Sequence, residues 1–380
     1  MEIERGPRWS ALRSVLVPVA IAGVGVLLGR LLPRLAEGAD DGGRLYGDVT
    51  GALLAVGLYA SVYGISRPHA RRDLARILVA ITFGVLVKAA LIAAVLALVF
   101  RGRTEYLILA AAMAQIDPLS VSALMDRRDM SLRAKSLLAA WASFDDPVTT
   151  VLVVYVSALV LDDASSFGAG ATAYGGTLLL NLALLAVAAV VWAALGRPWR
   201  GRDAAGQRPP VGRGLWAGQV VALVVLLAVA SWQFLMLGLA VAALFFRPAL
   251  GKVVDRAVQV ALTVATLLLG VLLTRGVDVG AGLVLGAATF AAQIVVGAVV
   301  SVGFPRRDRI ALCLSQQNGI TAIILALLLQ PMLPRAVAIV APAILTVNVL
   351  HAVANAVPAF GRRLGRAPVV EQDAAAAPEG

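Results

Sequence analysis

Charged residues make up only 14% of this 380-residue sequence, and cysteine occurs once. Each shortage excludes something. Soluble domains average roughly 25% charged residues, so this chain is not a soluble globular domain. The lone Cys313 rules out an internal disulfide and a thiolate metal cage. Long polar stretches are missing too, which leaves no room for a second, water-soluble module between the apolar runs. What fills the chain is 60% hydrophobic residues, with a mean hydropathy of +0.87.

A helix needs about 20 apolar residues to cross a hydrocarbon core roughly 30 Å thick. Runs of that length recur at 11–32, 48–65, 74–100, 104–125, 134–161, 169–195, 212–230, 231–250, 257–275, 277–302, 308–331 and 336–358. The break around Ser231, Trp232 and Gln233 is the weakest, so eleven spans compete with twelve. Charge placement favours twelve. Lys and Arg are retained on the cytoplasmic side of short loops. With twelve spans, 25 of the 33 basic residues fall on the side of both termini, seven on the other, and Lys88 inside a span. The net charge of +11 is this bias and gives no reason to invoke nucleic acid. The first run lacks a small-residue cleavage site, so it reads as a retained span. The expected organisation is one all-α polytopic membrane domain over 1–366 in the cell membrane, both termini cytoplasmic, with a disordered tail over 367–380.

An ionisable group at mid-bilayer needs a reason, because it costs about 2.5–3.5 kcal/mol or far more. Lys88, Asp117, Asp145 and Asp146 each lie well inside a span, on the order of 20 Å from its entry face. Asp117 precedes Pro118, which removes a helical donor and biases the preceding residue away from the α region. The fourth span should break there and expose carbonyls beside a carboxylate, the hard oxygen ligands of an alkali cation. The alternative is a kinked helix whose Asp caps the half that follows. Asp145 and Asp146 diverge by about 100° around a helix, so they meet different neighbours and titrate as a coupled pair. Lys88 is the buried base in reach of that pair, either as a fixed ion pair or as a proton-releasing partner.

A second polar cluster comprises Gln316, Gln317, Asn318 and Gly319 in the eleventh span, with Gln293 in the tenth and Asn348, His351 and Asn355 in the twelfth. Gly319 invites unwinding, making the eleventh span the second broken candidate. Side-chain amides gluing neighbouring helices is the alternative. Lys88, Asp117 and Asp146 are spaced by 29 and 29 residues, and Gln293, Asn318 and Asn348 by 25 and 30. Two triplets of opposite orientation, each with a discontinuous middle member, form the pattern of inverted repeats with a midplane site between them. Their spans, 74–161 and 277–358, make the expected core, and a homodimer through the remaining helices is compatible with it.

These residues resemble the monovalent cation:proton antiporter superfamily. Ile116, Asp117, Pro118, Leu119, Ser120 and Val121 are similar to its Thr-Asp-Pro crossover, with Ile in place of Thr. Asp145 and Asp146 resemble its fifth-helix acidic pair, which is Asp-Asp in members that move net charge. The resemblance implies Asp146 as the main cation and proton carboxylate, with Na⁺ held at Asp146 and Asp117, completed by Ser120, Thr149 and backbone carbonyls. Gln293 stands where the family usually carries a Lys or Arg, and Lys88 on the symmetry-related third span is the substitute. The helix-11 stretch also differs from the family's arginine-bearing version. The implied function is exchange of Na⁺, Li⁺ or K⁺ for H⁺ by alternating access, with no cofactor.

Two other readings compete. A sodium-coupled symporter of an organic anion, similar to the bile-acid symporters, draws on Gln317 and Asn318 and on half-helix N-termini. Three carboxylates against one lysine repel its substrate. An intramembrane aspartyl protease needs carboxylates from different helices that share a proton, and its Gly-x-Gly-Asp motif is absent, so no enzyme is expected.

Overall fold

Inside a bilayer every backbone N–H and C=O must find a partner within the chain, and a helix provides one for each. The computed structural model describes residues 7–34, 37, 43–63, 74–117, 121, 130–161, 167–195, 213–248 and 250–364, and no strand occurs among them. In chain order the helices are α1 (Pro7–Leu31), α2 (Arg44–Tyr63), α3, α4 (Glu105–Met113), α5 (Leu132–Leu161), α6 (Phe167–Leu195), α7 (Arg213–Trp232), α8 (Met236–Ala243), α9 (Gly251–Leu273), α10 (Val279–Val300), α11 and α12 (Ala336–Leu364). Two of these are composite. α3 runs through Leu74–Val79, a π-helical stretch Ala80–Gly84 and Val85–Val99. α11 consists of two half-helices, Arg306–Cys313 and Ile320–Leu329. Every one of the twelve expected spans contains one of these elements. Among the described residues, eight helices are long and apolar enough to cross a membrane, and Val17–Leu31 and Ile320–Leu329 are shorter apolar segments.

The uncertain boundary between the seventh and eighth spans is a helix stop. Phe234 has φ 53°, Leu235 N donates to Ala230 O at 2.8 Å and Phe234 N to Ser231 O at 3.3 Å. A left-handed residue flanked by these two bonds is the Schellman ending of a helix, here with Phe in the place usually taken by glycine. The polar Ser-Trp-Gln sequence was the visible trace of it. α8 is shorter than the expected span because the chain leaves the helix after Ala243.

Polarity is inverted relative to a water-soluble protein. Leu179, Leu182 and Val190 of α6 and Val221, Val224 and Val225 of α7 are exposed, while Lys88, Asp117, Asp145 and Asp146 are buried. Lipid solvates the first group and the helices shield the second. Helix–helix contact in lipid gains little from apolar burial, so small residues that let backbones approach matter more. A Cβ on Gly25 of α1 would lie 2.9 Å from the Gly270 Cα of α9, and one on Gly286 of α10 would lie 2.7 Å from the Thr346 Cβ of α12.

Candidate functional site

The site begins with two interrupted helices. α4 ends at Met113 and Gln115–Asp117 is irregular, with Asp117 O accepting from Val121 N at 3.1 Å. A proline at 118 supplies no N–H for the carbonyl four residues earlier, so the helix stops near Ala114. α11 stops at Cys313 and resumes at Ile320, leaving Ser315–Gly319 irregular. The two gaps cross, and Asp117 N donates to Gln317 O at 2.9 Å.

Each break leaves orphan carbonyls and N–H groups. The amide side chains of the second polar cluster go to these. Gln316 Nε2 reaches Gln115 O at 2.6 Å and Asn318 Oδ1 at 2.7 Å. Asn318 Nδ2 contacts the carbonyls of Met113 and Gln115, both at 3.4 Å. Gln293 Nε2 donates to Leu312 O and Ser315 Oγ, each at 3.2 Å, and Asn355 Nδ2 to Leu314 O at 3.2 Å. Asn348 receives Asn318 N at 3.3 Å and returns a bond to Asn318 O at 3.0 Å. Gln317 meets the ring of His351. The amide-glue alternative is therefore what the geometry displays for this cluster. Two carbonyls at the α4 break, those of Met113 and Gln115, are thereby engaged by amides of α11.

Against this crossing sits the acidic pair of α5, both members fully buried. As expected, the two diverge. Asp145 Oδ2 pairs with Lys88 Nζ at 2.8 Å and accepts from Ile116 N at 2.9 Å. The Lys88 ammonium also lies 5.4 Å from the centre of the Trp141 ring, a cation–π contact. The π-helical stretch just before this residue shifts the register of α3.

Asp146 meets a different set. Its Oδ2 accepts from Ser61 Oγ of α2 and Thr321 Oγ1 of α11, both at 2.9 Å. The Gln115 amide fills the other side: Nε2 donates to Asp146 Oδ1 at 2.7 Å and Oε1 accepts from Ala322 N at 2.9 Å. Only this orientation of the amide satisfies both neighbours. Asp117 and Asp145 are the like charges beside Asp146. The Asp117 carboxylate lies against Gly319, where an added Cβ would come within 2.7 Å of Asp117 Cγ. Gly319 is the N-cap of the second half of α11. Both Asp117 and Asp146 thus stand at the positive end of a helix dipole.

Of the expected site residues, the fold gathers Asp117, Asp145, Asp146, Lys88 and the amides of α11 around one crossing. Thr149, one turn beyond Asp146, is fully buried and its hydroxyl has no hydrogen-bond partner among the described residues. Ser120 lies outside the described residues. Gln293 caps the first half of α11. Ser61, Gln115 and Thr321 escaped sequence reasoning. Gln115, two residues before Asp117, and Thr321, two after Gly319, were the traces available.

A broken-helix crossing backed by buried carboxylates is an arrangement found at the binding sites of inverted-repeat secondary transporters. The family model of the transmembrane sodium/hydrogen exchangers matches residues 17–205. Among solved structures, the fold is similar to the sodium proton antiporter MjNhaP1 from Methanocaldococcus jannaschii, with 14% sequence identity and a TM-score of 0.56 over 90% of this chain and 99% of that one. No curated protein sequence matches the chain. The chain is thus similar to the sodium/hydrogen exchangers over residues 17–205, just under half of its length, and shares the fold of an antiporter.

Proposed function

We propose that the chain exchanges Na⁺ for H⁺ by alternating access, with Asp146 as the carboxylate for which the two ions compete. The observation that carries this reading is the surrounding of Asp146. It is fully buried, at a helix break, and held by groups from α2, α4 and α11. Two of those groups are hydroxyls, which donate to a bare carboxylate and turn round to offer lone pairs to a cation. Ser61 has a second acceptor for its proton, Gly57 O at 2.9 Å. Asp117 and the unpartnered Thr149 hydroxyl are the remaining hard oxygens of the cage.

In this reading Lys88 neutralises Asp145, leaving Asp146 to exchange ions. The unit of α3–α5 and α10–α12 moves against the other helices to open the buried carboxylate to either side. Gln316 and Asn318 are engaged with carbonyls of α4, so they support the crossing instead of recognising an organic anion.

The experiment is proton flux in liposomes holding the purified protein under a pH gradient, with Na⁺, Li⁺, K⁺ or choline added. Cation-specific collapse of the gradient that is lost in Asp146→Asn is the expected result. An Asp146→Asn protein that exchanges as well as the parent would overturn the assignment, and sodium-dependent uptake of an organic solute without proton movement would replace it with symport.

A further inference from the structure

Gln115 makes two hydrogen bonds through the two ends of one amide group. Its Oε1 accepts from Ala322 N, the third N–H of the second α11 half-helix, and its Nε2 donates to Asp146 Oδ1. The first bond closes one of the orphan donors at a helix start. The second is a hydrogen bond to a carboxylate that favours its ionised form.

These two bonds are coupled. A proton or cation on Asp146 Oδ1 needs an acceptor facing it, so the amide would have to turn its oxygen toward the carboxylate. That rotation sets an NH₂ against Ala322 N–H, donor against donor, and uncaps the half-helix. Ser61 and Thr321 carry no such penalty, because a hydroxyl rotates its proton away and keeps its position. Gln115 is therefore the neighbour of Asp146 whose response to loading reaches the broken helix.

We propose that Gln115 is a positioning residue that links the loading of Asp146 to the N-terminal cap of the second half of α11. This rests on the antiport reading of Asp146 but is separable from it. Its consequence is that Gln115 can donate to Asp146 and cap the half-helix at once only while the carboxylate oxygen facing it carries neither proton nor cation. The charged groups around Asp146 are Asp117 on α4, Asp145 on its own helix and, through Asp145, Lys88 on α3. α2 and α11 present the Ser61 and Thr321 hydroxyls.

The test compares the parent protein with Gln115→Met, which fills the space without hydrogen bonding, and Gln115→Glu, which still accepts from Ala322 N. Infrared titration of the protonated carboxyl band of Asp146, identified by its loss in Asp146→Asn, reads the site whether or not transport occurs. The flux assay is run across the same pH range. With Gln115→Met the titration midpoint and the exchange profile should both move to higher pH by about one to two units, the value of a hydrogen bond to a charged group. Gln115→Glu should move them at least as far, since two adjacent carboxylates retain a proton.

An unmoved midpoint in both variants overturns the proposal. So does a Gln115→Glu protein identical to the parent beside a Gln115→Met protein slowed equally at every pH, which is the behaviour of a helix cap alone. If Gln115→Met fails to fold, the Gln115→Glu midpoint decides. Absence of any cation-driven proton flux in the parent would defeat the antiport reading, while the infrared midpoints still judge Gln115.

Discussion

Lys88 and Asp145 face each other at 2.8 Å with no exposure of either side chain. Two charges removed from water attract strongly, yet desolvation offsets most of that gain, so the pair is worth little against an apolar replacement. Breaking it is another matter, because the survivor is left charged and buried. Lys88→Met or Asp145→Asn alone should cost about 3–5 kcal/mol, and the double variant should recover most of the loss. Thermal unfolding of the three proteins in detergent checks this, and additive losses would mean that the pair is not a unit. The four ionisable groups were legible in the sequence because charge in an apolar run is rare. Ser61 and Thr321 were not, because a hydroxyl costs little in a span and usually satisfies itself on its own helix. Only the packing of α2 and α11 around α5 turns them toward Asp146.

At the scale of the helix, the sequence marked both breaks but not how they are sealed. Pro118 and Gly319 located them, since one removes a donor and the other allows a backbone to unwind. The destinations of Gln293, Gln316, Asn318 and Asn355 depend on which orphan carbonyl each helix meets, and that is fixed by tertiary packing. Gln293, which stands where the family usually carries a Lys or Arg, donates to Leu312 O and Ser315 Oγ. Because Leu312 O keeps the Ser315 Oγ donor at 2.8 Å, Gln293→Leu should cost only about 0.5–1.5 kcal/mol, the net worth of a hydrogen bond. Exchange by the protein that remains folded should keep its pH profile, measured in the same flux assay; a displaced profile would restore Gln293 to the ion site. Gly319→Ala is the harsher change. Its methyl would press on the Asp117 carboxylate, which must leave its place beside the half-helix. Exchange should fall at least tenfold, by analogy with the roughly 1–3 kcal/mol cost of overpacking elsewhere, with the helical circular dichroism unchanged.

Across the whole molecule, the matched triplets read from spacing correspond to α3–α5 and α10–α12, each with a broken or interrupted middle helix. α2 bridges them to the rest. Its Tyr46 hydroxyl donates to Leu327 O at 2.6 Å, its Gly57 faces Ile324 across 3.9 Å from an ideal Cβ, and Ser61 reaches Asp146. If the triplets move as a body against α2, all three contacts must slide or break in each cycle, and a covalent tie across them must stop exchange. Because Cys313 is the sole cysteine, a Cys313→Ala background carrying Gly57→Cys and Ile324→Cys offers one defined pair. Treatment with a short, reducible thiol cross-linker should abolish cation-driven proton flux, and reduction should restore it, while the untreated protein remains active. Continued exchange with the tie in place, verified by mass, would mean that α2 travels with α11. The moving boundary would then run between α2 and its neighbours α7, α8 and α9, and the Ser61 hydroxyl would accompany Asp146 through the whole cycle.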